Sequence, residues 1–203
     1  LLPADIPLKK LPTQYIGFSP EHKGFAGTIS LSSNLITSMI KEVGGQLSEM
    51  GFKRLILING HGGQISLLNT AARELRSIAP RMAVFPCFLW SGVDGLSKLL
   101  TKTEIEYGLH ASLAETSLML ALKPELVGNE RPNEGINGHI PEGWSLEGNA
   151  PTAWLTEDFS QSGVIGDSRG ANESLGKDLK ELLINHWFKL IMNLMQSDWP
   201  NNS

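Results

Sequence analysis

Apolar residues at Ile36, Met39, Ile40, Val43, Leu47 and Met50 recur every three or four positions, which predicts a helix with one buried face. Ser32 and Ser33 precede it as N-cap residues, and Gly51 follows as a residue suited to the left-handed turn that ends a helix. Leu55-Ile56-Leu57-Ile58 is apolar without alternation, which predicts a strand covered on both faces, as in a parallel sheet. After Asn59 to Gly63 the helical period returns through Ile65, Leu68, Ala72, Leu75 and Ile78, until Pro80 stops it. Met82 to Leu89 predicts the next strand. Helix, strand, turn, helix, strand is the grammar of a βαβ layer.

Beyond that unit the signal weakens. Residues 91–109 are irregular, and His110 to Leu122 reads as a helix ended before Pro124. Residues 124–170 hold many Gly, Pro and Asn residues, and a loop-rich stretch of that length usually serves function or a subunit contact. Asn172 to Met195 predicts a last helix with Leu175, Leu179, Leu182, Trp187, Leu190 and Leu194 inward. Residues 1–30 read as loops with short extended pieces. No repeat, linker or low-complexity tract divides the chain, so a single domain over residues 1–203 is expected.

Composition narrows the class. A chain of 203 residues, 41% hydrophobic and 19% charged, can bury a core and is not disordered. Its net charge of −4 argues against a nucleic-acid platform. The single cysteine, Cys87, rules out an internal disulfide framework and sits in an apolar run as a structural thiol. The apolar stretch Leu182 to Met195 is broken by Asn185, His186 and Lys189, so no membrane span is expected. A soluble cytoplasmic protein is the expectation. The chain opens on Leu1-Leu2-Pro3 rather than Met, so removal of an N-terminal piece, or origin in a longer protein, is expected.

Three segments carry chemistry. Asn59-Gly60-His61-Gly62-Gly63-Gln64 lies where a buried strand ends and a helix opens. Ligands of open α/β sheets bind beyond the carboxyl ends of strands, and helix N-termini offer unpaired N–H groups. An imidazole there can ligate a metal; equally, the turn can be a tight connection with an incidental histidine. The glycines do not form G-x-G-x-x-G, and no Lys-Ser or Lys-Thr follows, so dinucleotide and P-loop readings fail. In His110-Ala111-Ser112-Leu113-Ala114-Glu115, the histidine and glutamate are five apart, about 140° around a regular helix. They converge only if His110 precedes the first turn and Glu115 lies one turn in. Otherwise they are a capping histidine and a solvated glutamate. In Gly17-Phe18-Ser19-Pro20-Glu21-His22 and Phe25-Ala26-Gly27-Thr28, Ser19, His22 and Thr28 can line a pocket or simply form turns. His139, in a Gly/Pro-rich loop, and His186, in the seam of the last helix, attract less interest, and Trp144 and Trp154 suit either a pocket cover, packing or a subunit interface.

Together these segments resemble the creatininase family, whose pattern runs Gly-x-Ser-x-x-His…Phe-x-Gly-Thr, then a strand ending in Asn-Gly-His-Gly-Gly, then His-Ala-Gly-x-x-Glu-Thr-Ser. Here these are Gly17 to Thr28, Asn59 to Gly63 and His110 to Ser117, in that order, and Ser162 to Asp167 is similar to a late family motif. The loop around Trp144 to Trp154 looks similar to cyanobacterial members. The resemblance implies a three-layer α/β/α fold with a mostly parallel sheet. It implies a metal-dependent amidohydrolase that opens a non-peptide C–N bond, a cyclic amide or formamide, with a metal-activated water. It implies two divalent ions per site, zinc, manganese or iron, with His61 and Glu115 as ligands and His110 as the proton shuttle. Ser19, His22, Gly62 and Gly63 would contact the substrate. Partners would be a small molecule and copies of the chain, in a hexamer by resemblance, with no nucleic acid and no membrane.

Three departures follow from the same comparison. Family members carry an early Glu-x-His-Gly stretch and an Asp, upstream of Leu1, together with a strand. Gly63 stands where creatinine-hydrolysing members have Glu, and Glu106 and Tyr107 stand where they have a Trp-Asp pair, so creatinine is not the expected substrate. Ser112 replaces the usual Gly. Two competing readings remain, a non-catalytic small-molecule-binding or assembly protein on the same scaffold and a peptidase that trims a modified peptide.

Overall fold

A computed structural model describes residues 6–135, 140–148 and 150–200. By its contacts the chain forms two compact units, one made of the chain through Ser19, Ile29–Gly92 and the chain from Asn185, the other of Pro20–Thr28 with Val93–Ile184.

The first unit holds the predicted βαβ layer. Helix α1 (Ser33–Glu49) starts at Ser32, whose hydroxyl accepts from Leu35 N at 3.2 Å. Strands β1 (Arg54–Asn59) and β2 (Ala83–Phe88) are parallel, in register from Arg54 opposite Ala83 to Asn59 opposite Phe88. Helix α2 (Ile65–Ile78) makes the crossover. Ile36, Ile40, Leu68, Ala71, Leu75, Ala79 and Met82 form the buried core, with Leu55, Leu57 and Val84 packed against it. Two expectations shift. The buried line on α1 is Ile36, Ile40 and Gly44, while Val43 and Met50 stay exposed. Gly44 sets this line: a Cβ there would lie 2.2 Å from Leu75 Cδ2, so α2 fills the space that a side chain would take. β1 is also not covered on both faces, for Leu55 and Leu57 meet the core while Ile58 is 51% exposed.

Two arginines close this unit's loose ends. The Arg76 guanidinium donates to Pro80 O and, at 2.9 Å, to Met82 O, tying down the turn after α2. Arg54 at the start of β1 donates from Nε to Trp199 O at 2.5 Å and from Nη2 to Ser197 O at 2.6 Å.

The second unit contains short helices on a small sheet. Residues 91–109, expected to be irregular, hold α3 (Leu96–Leu99) and α4 (Lys102–Tyr107); Thr101 caps α4 by accepting from Glu104 N at 3.1 Å. The helix expected from His110 begins later, as α5 (Leu113–Leu122). Ala111 has a φ of +49°, the one non-glycine residue with positive φ among those described, and so breaks the helix before it starts. The bend is held on both sides: Ala111 N donates to Glu115 Oε2 at 2.8 Å, and Thr116 Oγ1 donates to Ala111 O at 2.8 Å. β3 (Asn133–Glu134) and β4 (Gly166–Asp167) pair antiparallel, and His110 bridges Ile165 just before β4.

Helix α6 (Glu173–Met195) ends the fold; its residues through Ile184 belong to the second unit and those from Asn185 to the first. Its buried residues are Gly176, Leu179 and Leu183, whereas the expected inward Leu190 is 43% exposed. Close approach to α5 explains the seam, because a Cβ on Gly176 would lie 1.9 Å from Ser117 O. Cys87 sits half-buried in β2, where burial pushes its thiol up and keeps it protonated. No described helix is long and apolar enough to cross a membrane.

Candidate active site

In the first unit the site residues surround the tip of β1. Asn59, nearly fully buried, clamps the turn with its whole side chain. Its Oδ1 accepts from His61 N and from Gln64 Nε2, both at 2.9 Å, and its Nδ2 donates to His61 O at 2.8 Å. Gln64 extends the tie, accepting from Phe18 N at 3.2 Å, and Ser19 N donates to Ser30 Oγ at 2.8 Å. The backbone around His61 is thereby held at both of its polar groups, with the residue extended (φ −124°, ψ 120°) and half-buried before α2. Gly60 would meet nothing within 4 Å with a Cβ, and Gly62 only Phe88 Cζ at 3.9 Å. Neither Gly60, Gly62 nor Gly63 has a positive φ. What these glycines supply is bare backbone at the head of α2, where N–H groups lack helical partners.

In the second unit His110 precedes α5 and Glu115 lies in its first turn. The carboxylate of Glu115 therefore reaches back over Ala111, the residue after His110. The imidazole of His110 stacks on that of His22, with ring centroids 3.9 Å apart and planes tilted by 34°. His22 is buried at the end of the turn Pro20–His22. Its Nδ1 lies 2.6 Å from Thr156 Oγ1, and its Nε2 lies 3.6 Å from Glu21 Oε1.

Beneath α5 is a buried polar hub that the motifs did not reveal. Glu104, 8% exposed, accepts from Ser112 Oγ at 2.6 Å and from Ala114 N at 2.8 Å. Burial pushes its carboxyl up, against the pull of those two hydrogen bonds. Ser112 Oγ also accepts from Asp167 N at 3.0 Å. The residue that departs from the family's glycine thus ties α4, α5 and β4 together. A second acceptor, Glu134, receives the backbone N–H groups of Ser162 and Gln161 and the hydroxyls of Ser160 and Ser162. These donors, led by Ser162 N–H, hold its carboxyl down at about 2. Arg169, donating to both oxygens of Asp167, holds that carboxyl at about 2 as well.

Of the remaining aromatic candidates, Trp154 and His186 pack and Trp144 does not. Trp154 donates to Leu146 O at 3.2 Å and meets Phe159 edge-on, Trp144 is 59% exposed, and His186 lies edge-on to Trp187. His139 falls outside the described residues. Thr156 and Glu104 lie outside the motifs because their partners are chosen by folding; Thr156 lies 134 positions from His22. The donor atoms of His61 and Glu115, an imidazole nitrogen and a carboxylate oxygen, fit a borderline or hard divalent ion by type.

A parallel strand pair with a helical crossover, carrying a histidine at the strand tip, defines an α/β protein with its candidate site at the carboxyl end of the sheet. The chain belongs to the creatininase family: the family model described as creatinine amidohydrolase matches residues 2–191. It is similar to the mycofactocin precursor peptide peptidase of Mycobacterium tuberculosis, 27% identical over 184 residues covering 91% of this chain and 65% of the relative. It is also similar to the creatinine amidohydrolase of Pseudomonas putida, 29% identical over 135 residues covering 60% of this chain and 52% of the relative. The fold matches a solved structure from Bacteroides fragilis, described as a candidate creatinine amidohydrolase, with a TM-score of 0.76 and 20% identity over 91% of this chain and 71% of that one. The chain thus spans 65% of the length of the mycobacterial relative.

Proposed function

We propose that the protein carrying this chain is a metal-dependent hydrolase of a C–N bond, with His61 and Glu115 as metal ligands and His110 as the donor of a proton to the departing nitrogen. One observation supports it most: His110 stands outside α5 while Glu115 occupies its first turn and bonds Ala111 N, so a ligand-type carboxylate and an acid–base imidazole share one bend. A bound divalent ion (zinc, manganese or iron, two per site by resemblance) would acidify a water molecule and polarise the scissile carbonyl. The residues of the chain do the rest. Ser19, His22 and the N–H groups of Gly62 and Gly63 bind and orient the substrate. His110 delivers the proton as the C–N bond breaks and the water oxygen joins the carbonyl carbon. Two ligands are fewer than the three protein ligands usual for catalytic zinc, so further donors belong to this reading.

The substrate proposed is a small cyclic amide or formamide, with creatinine disfavoured by Gly63 and Tyr107. A homo-oligomer and a cytoplasmic location belong to the same reading. The mycobacterial relative favours a second one, trimming of a modified peptide. Hydrolysis of peptides but of no small amide by the full-length protein would select it.

The test is metal content of the full-length protein, equilibrated with zinc at neutral pH and compared with His61→Ala. Zinc affinity should fall at least about tenfold, the scale of even indirect ligand perturbations. Unchanged zinc in the variant would overturn the ligand assignment. If the wild-type protein itself binds none, a non-catalytic binding protein on this scaffold takes its place.

A further inference from the structure

We propose that Thr156 is a positioning residue: its buried hydroxyl holds the imidazole of His22 in one plane, and the stacked ring of His110 takes its orientation from that plane. The inference rests on the proton-donating role proposed for His110, and it concerns a residue that none of the motifs contains.

His22 Nδ1 lies 2.6 Å from the hydroxyl, inside hydrogen-bond distance, and a hydroxyl can donate to a bare ring nitrogen or accept from a protonated one. Thr156 is fully buried and His22 is 8% exposed, so neither group can exchange its partner for water without an opening of the structure. An unmade bond at such a site leaves a desolvated polar atom without compensation.

Thr156 is itself well held. Its carbonyl accepts from Ser160 N at 2.9 Å and from Phe159 N at 3.1 Å, and the turn it opens is closed by Asp158 Oδ2, which accepts from Leu155 N at 2.7 Å. Its β-branched side chain has few rotamers. The hydroxyl is therefore a fixed reference point, whereas His22 sits at the end of a three-residue turn. With ring centroids only 3.9 Å apart, a rotation of the His22 ring sweeps its edge into His110. Proton delivery depends first on the donor's geometry, so the orientation set at Thr156 is passed on to the group that would perform it.

Side-chain nitrogen NMR of the full-length protein tests this without substrate. Spectra are compared for the wild type, Thr156→Ser, which keeps the hydroxyl, and Thr156→Val, which keeps the shape and removes it. The wild type and the serine variant should show the same hydrogen-bonded Nδ1 signal for His22. The valine variant should lose it and shift the ring signals of His110 as well. A wild-type His22 with no hydrogen bond at Nδ1 would overturn the proposal, as would a folded valine variant with both rings unchanged. If the valine variant does not fold, the wild-type Nδ1 signal and its retention in the serine variant still decide. Loss of zinc binding is read separately, so the hydrolase reading can fail while this one stands.

Discussion

At the scale of single residues, two glycines hold the second unit together by what they lack. Gly166 has a φ of +135°, and a Cβ there would lie 2.2 Å from Ser112 Oγ. Gly176 faces the backbone of α5 at Ser117. Gly166→Ala combines a forbidden dihedral with a clash on the polar hub, and should destabilise by at least about 1–3 kcal/mol. Gly176→Ala must push two helices apart and should be as damaging. Urea midpoints of both variants check this; a midpoint within error of wild type for either would contradict the packing described. Of the site's residues, the sequence exposed those whose neighbours are local. His61 was legible because strand, glycines and helix lie side by side in the chain. Glu104 was not, since a glutamate between Thr103 and Ile105 looks like any solvated helical residue until Ser112 and Ala114 close over it.

At the scale of elements, the entry to α5 decides most. Helical periodicity alone would carry that helix through His110, but Ala111 turns to a positive φ, and the Glu115 carboxylate holds that bend by accepting from Ala111 N. Side-chain to backbone bonds of this kind are invisible to apolar spacing. The same limit applies to α3 and α4, each too short to show a period. The βαβ layer was legible because α1 and α2 are long and periodic, and the strands after them are apolar runs joined by short turns. β1 differs from expectation: its unbroken apolar run predicts two covered faces, while Leu55 and Leu57 reach the core and Ile58 stays exposed. An expected outcome follows for the hub. Ser112→Ala removes one donor from the buried Glu104 carboxyl and one acceptor from Asp167 N, and should destabilise by about 1–3 kcal/mol. The family's own residue, in Ser112→Gly, should do no better, because the hydroxyl is what Glu104 has come to require. Thermal unfolding of the two variants measures it.

For the molecule as a whole, the acid response is set by carboxylates held low. Glu134 and Asp167 both have folded-state values of about 2, below the ordinary carboxylate range. A depressed acid stabilises the fold above its unfolded value and loses that contribution as pH falls through the folded one. Stability should therefore decline between about pH 4 and pH 2. Glu134→Gln should flatten that decline by lowering the neutral plateau, because the amide keeps an acceptor oxygen but loses the charge that the four donors stabilise. Urea titrations at stepped pH read the slope, and an identical acid limb in the variant would remove Glu134 from the account.

The arginine at the head of β1 gives the far end of the chain an address. Trp199 lies 145 positions away in sequence, yet its carbonyl is gripped by Arg54. A fluorophore or affinity handle appended after Pro200 would therefore be moored beside the first strand of the parallel pair rather than trailing from α6. Its signal would report on the opening of that strand, and Arg54→Ala would cut the mooring.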